Sequence, residues 1–338
     1  MGTKIDNSVV FNKDQIGFSE AYYILWNDPQ QKLSMIVRFV LFNGPTDDYK
    51  IAEVWGWFRD RSDEGTADLA IRQRYSLDKA IYEKGVYSLK IGDSGIDAKR
   101  CWGKISNDKS ALSWDFDISD PNAIGINRLP GMDADTFLPK FYSPACKMKI
   151  SGSVQVDEER FTIENINGSD GHYWNTHNLK TWNWCNGVAF QNDPEFLFEG
   201  IAAKFNDWGQ ASTWLHFDWK GKRYSTDIVN AYCHNRELNS DLTSWEFSAE
   251  RETIKFEGKV TAKPEDMILI IHPLPDGSSL YTHISYNADL IITISEKDAS
   301  GEWQKVKMVE AIDTASFEVT KPERNPDVKR EFEVVPAT

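Results

Sequence analysis

SALSWDFDIS, residues 110–119, alternates between apolar and polar side chains and is the stretch that decides the fold. Leu112, Trp114, Phe116 and Ile118 occupy every second position, and serine or aspartate stands between them. Successive side chains of an extended chain point to opposite faces, so these four residues share one face. The pattern predicts a half-buried antiparallel strand.

The same period of two recurs along most of the chain. Residues 211–220, ASTWLHFDWK, alternate in the same way. Further strands are expected at 21–28, 32–42, 51–58, 86–92, 146–154, 195–201, 251–260, 267–272 and 288–295. Helical periodicity is weak, and only residues 76–84 could form two helical turns. Residues 119–144 show no alternation and predict a long irregular excursion of the kind that often covers a pocket.

Many short strands separated by turns predict an all-β fold built from antiparallel β-barrels or β-sandwiches. A chain of 338 residues is long for one hydrophobic core, so two domains are expected. Ser113-Trp-Asp-Phe116 recurs as Ser244-Trp-Glu-Phe247, a short echo that slightly favours two similar domains.

The composition restricts the partners and the compartment. The 38 basic and 52 acidic residues give a net charge of -14, and no basic cluster is present, which argues against nucleic acid and anionic membranes. No segment has the length of a transmembrane span or the pattern of a signal peptide. Four widely spaced cysteines (Cys101, Cys146, Cys185 and Cys233) indicate reduced thiols in a cytoplasmic protein. The sequence leaves the oligomeric state open.

Residues 171–187, GHYWNTHNLKTWNWCNG, concentrate large aromatic and polar side chains, and six of the 13 tryptophans lie between Trp174 and Trp219. A small β-barrel can enclose one ligand, and aromatic walls suit an apolar or polyene ligand and stabilise positive charge. Alternatively, Trp182 and Trp184 are alternate residues of one core strand that close the barrel floor. Both interpretations remain open at this point.

Common catalytic motifs are absent from the sequence. It contains no GxSxG elbow, no GxGxxG loop and no phosphate-binding GxxxxGK[ST] loop, so no nucleotide, flavin or acyl-enzyme is expected. His172, His177 and Cys185 lack the spacing of an HExxH or CxxC site, so no metal is expected either. Any enzyme chemistry is therefore expected to proceed without a cofactor.

GSDGHYWNTHNLKTWNWCNG, residues 168–187, resembles the hallmark segment of the hydroxyneurosporene synthase (carotenoid hydratase)/AttH-like group. In that group an Asp/Gly-rich turn leads to His-x-Trp-Asn and then to a W-x-W strand. FSEAYYILWNDPQQKLSMIVRFVLFN, residues 18–43, is similar to the family's opening, and EVWGWFRD and LSWDFDIS fit the following strands. Tocopherol cyclases and fungal lipocalin-like Diels–Alderases look like more distant relatives.

The resemblance implies two lipocalin-like (calycin) β-domains, 1–190 and 191–338, with the ligand pocket expected in the N-terminal domain or between the two. It also implies a catalytic set in which His172 and Trp174 match the His-x-Trp pair and Glu199 stands where the family has Asp. The aromatic residue that the family carries two positions before this carboxylate is Leu197 here, a departure that weakens hydration more than it weakens the fold.

The expected ligand contacts surround this catalytic set. Asp170 is expected to hold the tautomer of His172. Glu199 shares the phase of Leu197 and Ile201, so its side chain is expected to point inward, where burial would favour a neutral acid able to protonate an alkene. Facing indoles would stabilise the resulting carbocation. The substrate-binding residues expected are Asp170, Tyr173, Asn175, Trp182, Trp184, Tyr22 and Tyr23.

These features predict a cofactor-free enzyme acting on an isoprenoid, polyene or related apolar natural product. The reaction would be that of a hydratase, a cyclase or a pericyclase, the last needing only a shaped pocket with hydrogen-bond donors. A non-catalytic lipid or terpenoid carrier is the alternative. Sugar binding on a row of exposed aromatic side chains is a third interpretation, which the His-x-Trp turn fits poorly.

Overall fold

The computed structural model describes residues 5–62, 67–119, 125–129, 139–175, 179–204, 211–226, 240–273 and 279–336. The first strands are β1 (Ser19–Asp28), β2 (Leu33–Asn43), β3 (Lys50–Asp60), β4 (Asp68–Ser76), β5 (Ala80–Tyr82), β6 (Ser88–Ile91), β7 (Ser94–Asp97), β8 (Arg100–Ser106), β9 (Ala111–Ser119), β10 (Ile126–Asn127), β11 (Lys140–Ser143), β12 (Met148–Val156) and β13 (Glu159–Asn175). The remaining strands are β14 (Thr181–Gly187), β15 (Leu197–Lys204), β16 (Ser212–Trp219), β17 (Lys222–Ser225), β18 (Ser244–Glu250), β19 (Ile254–Thr261), β20 (Ile268–Pro273), β21 (Ser279–Lys297), β22 (Trp303–Lys321), β23 (Arg330–Glu331) and β24 (Glu333–Pro336).

The prediction of an all-β, largely antiparallel fold is confirmed. In the described ranges the only helical pieces are three short 3-10 turns. The helix considered at 76–84 is wrong, because Leu77–Lys79 form a 3-10 turn that leads straight into strand β5. No helix in these ranges is long and apolar enough to cross a membrane.

The chain divides into two compact units. The first comprises Met1–Asn178 together with Phe332–Thr338, and the second comprises Leu179–Glu331. The unit limit thus falls before β14, whereas the sequence-based domain limits of 1–190 and 191–338 placed that strand in the N-terminal domain. The reason is hydrogen bonding: β14 pairs with β15 and β22, both of the second unit.

Each unit is built on one sheet, and the two sheets follow the same path. The main strand order is β4-β3-β2-β1-β13-β12-β9-β8 in the first sheet and β17-β16-β15-β14-β22-β21-β19-β18 in the second. The first sheet continues through β7, β6 and β5, and β24 adds to its edge parallel to β4. The two units therefore repeat one topology.

The sequence echo between the two halves does not mark this repeat. Ser113–Phe116 lies on β9, whose counterpart in the second sheet is β19, whereas Ser244–Phe247 lies on β18. Similar domains were thus expected correctly, but the four-residue match falls on strands that do not correspond.

Both sheets curl around an apolar interior. In the first unit a Cβ added to Gly56 on β3 would lie 2.8 Å from Leu112 and 2.9 Å from Ile105, so β3 faces β8 and β9 across the interior. This first hydrophobic cluster includes Trp26, Phe39, Phe58, Phe116 and Ile150.

The interior of the second unit is packed with phenylalanine rings. Phe198 stacks on Phe247 with 4.4 Å between ring centroids, and Phe217 stacks on Phe256 at 4.2 Å. These pairs hold β15 and β16 against β18 and β19, and each contributes about 0.5–1.5 kcal/mol beyond its buried area. With Trp245 they form most of the aromatic part of the second hydrophobic cluster.

Three of the four cysteines lie in described ranges, and all three are buried. Cys101, Cys146 and Cys185 are free thiols, and burial raises the pKa of Cys101 and Cys185. Cys233 lies outside the described residues. Of the excursion expected at 119–144, residues 120–124 and 130–138 also lie outside them, and the rest supplies the short strands β10 and β11.

Candidate functional site

A buried carboxylate–imidazole pair lies inside the first unit, where β1 runs beside β13. The register pairs Tyr22 with His172 and Glu20 with Trp174. Cross-strand partners point to the same face, and Tyr22 belongs to the first hydrophobic cluster, so all four side chains point into the interior. β11 pairs with the other edge of β13 and places Tyr142 beside His172.

Glu20 is the hydrogen-bonding centre of this group. Its Oε1 accepts the hydroxyl of Tyr22 at 2.7 Å and the backbone N–H of Val10 at 3.0 Å, and it lies 2.8 Å from Nε2 of His172. Glu20 is 0% exposed and His172 is 1% exposed. A buried carboxylate is costly unless donors surround it, and here three donors converge on one oxygen.

Two polar atoms of this pair remain available. In the part of the chain that the structure describes, neither Oε2 of Glu20 nor Nδ1 of His172 has a hydrogen-bond partner. Buried polar atoms are nearly always hydrogen-bonded in folded proteins, so two adjacent exceptions require an explanation. Both atoms can take part in proton transfer to a bound molecule.

Aromatic rings enclose the imidazole. The ring of His172 stacks on Tyr22 with 4.1 Å between centroids, and it lies 4.6 Å from the ring of Trp174. Tyr22 stacks in turn on Tyr87 at 5.6 Å, and Trp174 stacks on Tyr142 at 5.3 Å. The electron-rich faces of these rings favour a positive charge on the imidazole or on a bound molecule.

Two tyrosines of this enclosure, Tyr22 and Tyr87, keep their protons. Burial raises the pKa of Tyr22, and the negative charge of Glu20 raises it further. Burial likewise raises the pKa of Tyr87 well above its usual value, with a smaller contribution from Asp170. The hydroxyl of Tyr22 is therefore a permanent donor to Glu20.

The remaining sequence-predicted residues of the first unit have other partners. Asp170 accepts the backbone N–H of Ala145 at 2.6 Å and the side-chain amide of Asn7 at 3.3 Å. The carboxylate that contacts Nε2 of His172 is that of Glu20, and the role expected of Asp170 in fixing the tautomer stays a prediction. Asn175 ends β13 opposite Ser19.

Tyr23 and Tyr173 point to the face of the first sheet that is opposite Tyr22 and His172, because they occupy the alternate positions of their strands. The hydroxyl of Tyr23 contacts the guanidinium of Arg128. Tyr173 lies in contact with another aromatic ring, with 5.5 Å between its centroid and that of Phe141. The structure thus separates these two tyrosines from the His172 enclosure.

A second buried carboxylate lies in the second unit. Glu199 on β15 is 0% exposed, its Oε1 accepts the indole N–H of Trp184 at 2.6 Å, and its Oε2 accepts the amide N–H of Asn186 at 2.5 Å. It shares its face with Leu197 and Ile201, as the alternation indicated, but the inward direction expected from this phase is wrong. This face is opposite the one that carries the second hydrophobic cluster.

Trp182 and Trp184 belong to β14 and therefore to the second sheet, although sequence analysis grouped them with His172. They lie on the same face as Glu199, and the indole N–H of Trp182 donates to Glu318 at 2.5 Å. Trp174 alone of these three tryptophans is part of the His172 enclosure within the first unit.

Glu20 is the residue of this buried pair that was not predicted from the sequence. The signal was present in EAYYILW, residues 20–26, because Glu20 stands in the same alternating phase as Tyr22, Ile24 and Trp26. An acidic residue in the interior phase of a strand predicts either a buried ion pair or a functional group. Its partner could not be identified, since His172 lies 152 positions away in the sequence.

A surface cleft of about 510 Å³ lies elsewhere in the first unit. It is lined by Lys13, Asn43, Asp47, Lys50, Ser76, Leu77, Asp78, Ala80 and Tyr82. None of the site residues above lines it. Its acidic and basic side chains are equal in number, so it selects no ligand charge.

The described residues contain no group of three or more His, Cys, Asp or Glu side chains that could hold a metal ion. Of the three residues tested above for this role, His177 lies outside the described residues. His172 lies in the first unit and Cys185 in the second.

Comparisons with known proteins relate the chain to others by fold. No protein-family model and no curated protein matches it. Kievitone hydratase from Nectria haematococca is similar in structure, with a TM-score of 0.52, 12% identity, and coverage of 95% of this chain and 94% of the hydratase.

Two further solved structures are similar over nearly the whole chain. A protein from Nitrosomonas europaea identified as a candidate AttH has a TM-score of 0.55 and 10% identity, covering 94% of this chain and 98% of its own. CghA has a TM-score of 0.52 and 11% identity, covering 96% of this chain and 95% of its own. The expected resemblance to the AttH-like and hydratase group is confirmed at the level of fold, and the chain has the lipocalin-like β architecture of these proteins.

Proposed function

We propose that the protein is a cofactor-free enzyme that transfers protons on an apolar substrate of the isoprenoid, polyene or related natural-product class. The observation that carries the proposal is the buried Glu20–His172 pair, 2.8 Å apart and enclosed by aromatic rings. Shared fold with a hydratase supports an enzyme of this general kind.

His172 acts as the base in this proposal. When its Nε2–H donates to Glu20, the neutral ring carries its lone pair on Nδ1, the atom without a partner among the described residues. Nδ1 takes a proton from water or from an acidic C–H of the substrate. The imidazolium that forms is stabilised by the carboxylate of Glu20 and by the faces of Tyr22 and Trp174.

The proton then returns to the substrate. In a hydration, the oxygen of the deprotonated water bonds to one carbon of an electron-poor double bond, and Nδ1–H delivers the proton to the neighbouring carbon. In an isomerisation or cyclisation, the proton removed from one carbon returns to another. Glu20 orients the imidazole through Nε2 and stabilises the imidazolium, as the carboxylate of such a pair does in other enzymes.

The catalytic role that the resemblance gives to Glu199 stays a separate proposal, because Glu199 lies in the second unit. Trp184 and Asn186 fix both of its oxygens, so its position is well defined. The resemblance to the hydratases assigns it to protonation of the substrate or stabilisation of a cation.

Turnover by matched variants tests the proposal. Substrates are first sought by mass spectrometry of ligands retained by the purified protein and of products formed from polyenes and prenylated phenols. Glu20→Gln and His172→Ala should each lower kcat by about 10²–10⁴-fold, the usual contribution of a general base. Unfolding curves identify any variant that fails to fold, and activity unchanged in both folded variants would contradict the assignment.

The same measurements separate the other interpretations. A pericyclase would keep its rate in Glu20→Gln and Glu199→Gln but lose it when a larger side chain fills the pocket. A carrier would retain a ligand and quench tryptophan fluorescence while the wild-type protein forms no product.

A further inference from the structure

A second group of polar side chains points into the interior of the second unit. Thr181 and Asn183 alternate with Trp182 and Trp184 on β14, so they share the interior face with Cys185 of the second hydrophobic cluster. Asn183 is paired with Ala202 on β15 and with Val319 on β22, and both of these belong to the same cluster.

Asn183 carries two buried polar atoms that nothing satisfies. It is 0% exposed, and over the described ranges neither its Nδ2 nor its Oδ1 has a hydrogen-bond partner. The hydroxyl of Thr181, two positions away on the same face, is buried and unsatisfied in the same way. A buried amide with neither group paired is strongly unfavourable, so this arrangement indicates a site for a polar molecule.

A cation stands at the same end of the interior. Lys321 follows Val319 by two positions on β22, so its stem lies on the interior face, and its Nζ donates to the backbone carbonyl of Ser240 at 2.9 Å. The hydroxyl of Ser240 is another buried polar atom without a partner in the described chain. Burial is the main cause that lowers the pKa of Lys321, and Lys204 acts in the same direction.

The nearby acidic side chains accept no hydrogen bond from Asn183, Thr181 or Lys321 in the described chain. Asp241 and Glu323 act electrostatically on Lys321, but Oδ1 of Asp241 accepts the backbone N–H groups of Thr243 and Ser244. The amide N–H of Asn183, the hydroxyl of Thr181 and the ammonium of Lys321 are donors at one end of an otherwise apolar interior. Such a set suits a carboxylate.

The packing limits the size of the bound molecule. Small side chains flank Asn183 in its row, namely Ala202 on β15 and Thr213 on β16. Further inside, the stacked pair of Phe198 and Phe247 fills the interior. Because these rings block the interior, a molecule bound beside Asn183 must be short.

We propose that this end of the second unit, around Thr181, Asn183 and Lys321, binds a compact organic carboxylate. The site is distinct from the Glu20–His172 pair and does not depend on the reaction proposed for that pair.

Ligand-observed NMR with benzoate as the probe tests the proposal, with benzyl alcohol and benzylamine as matched probes that lack the carboxylate. Benzoate should bind saturably and at least about tenfold more tightly than either of them, because only it offers an anion to Lys321. Asn183→Leu and Lys321→Met should each weaken benzoate binding about tenfold, whereas Lys305→Met, at an exposed position of β22, should not.

Two controls show that the variants fold and that the carboxylate site is independent of the Glu20–His172 pair. Asn183→Leu should unfold at a higher denaturant concentration than the wild type, because it removes an unsatisfied amide, so lost binding cannot be ascribed to misfolding. Glu20→Gln should bind benzoate normally. Lack of saturable benzoate binding up to about 10 mM, or undiminished binding by Asn183→Leu and Lys321→Met, would overturn the proposal.

Discussion

The protonated tyrosine at the centre of the candidate site should reduce stability at alkaline pH. The pKa of Tyr22 is raised above its usual 10.0 in the folded chain, first by burial and then by Glu20. Above pH 10 the unfolded chain loses this proton while the folded chain keeps it. The unfolded state then binds fewer protons, so the free energy of unfolding falls as pH rises.

The slope can be estimated from this single proton. One retained proton lowers the free energy of unfolding by about 1.4 kcal/mol for each pH unit above 10. Tyr22→Phe should therefore make the alkaline slope shallower by about that amount. At neutral pH the same variant should cost about 1.5–3 kcal/mol, because Glu20 loses a donor to its buried carboxylate.

Urea unfolding at several pH values between neutrality and about pH 11 measures both effects. Two compact units can give two transitions, and the expected values apply to the transition that Tyr22→Phe shifts. Tyr49→Phe is the control, because Tyr49 is 60% exposed. Two results would show that Tyr22 titrates normally and that the description of the site is wrong. One is an alkaline slope that Tyr22→Phe leaves unchanged. The other is a tyrosinate absorbance near pH 10 that corresponds to one tyrosine fewer in the folded variant than in the folded wild type.

Two further predictions concern the stability of the fold. Gly152→Ala should lower the free energy of unfolding by about 3 kcal/mol, because Gly152 has a φ of 149° and an added Cβ would overlap the carbonyl of Asp115. Gly221→Ala is the control and should cost only about 1 kcal/mol, because no atom lies within 4 Å of a Cβ added there. Glu53→Gln should lower the free energy of unfolding by about 3–5 kcal/mol, since the buried carboxylate of Glu53 bonds two arginines and an indole. Asp115→Asn, at an exposed ion pair, is its control and should cost at most about 1 kcal/mol. Equal losses within either pair would contradict the geometry.

Much of the fold could be predicted because strand periodicity is a local property. The strands predicted from the alternation of residues 110–119 and 211–220 are confirmed as β9 and β16. Residues 76–84 misled because their apolar spacing fits a helix over two turns. The three residues of β5 instead gain hydrogen bonds from β6, a tertiary contact that overrides local preference.

The candidate site was only half predictable, because it depends on which strands pair. His172 and Trp174 could be singled out from the segment that contains them, but Glu20 joins them only through the register of β1 with β13. Proximity in sequence was also misleading for Trp184. The chain passes from one sheet to the other between β13 and β14, so residues only ten positions apart belong to different units.

The repeated topology links the two proposed sites. β1 and β14 occupy the same place in their sheets, each next to the unit's last long strand, β13 or β22. Each of these strands carries in its interior phase a fully buried polar residue, Glu20 in the first unit and Asn183 in the second, and each of the two has a buried atom that no described group satisfies. An apolar residue in place of Asn183 would stabilise the fold, and Glu20 keeps one buried oxygen without a partner in the described chain, so both polar residues are retained at a cost. Departures from good packing are expected where a protein has a function to perform, and their occurrence on corresponding strands favours a binding role for both interiors.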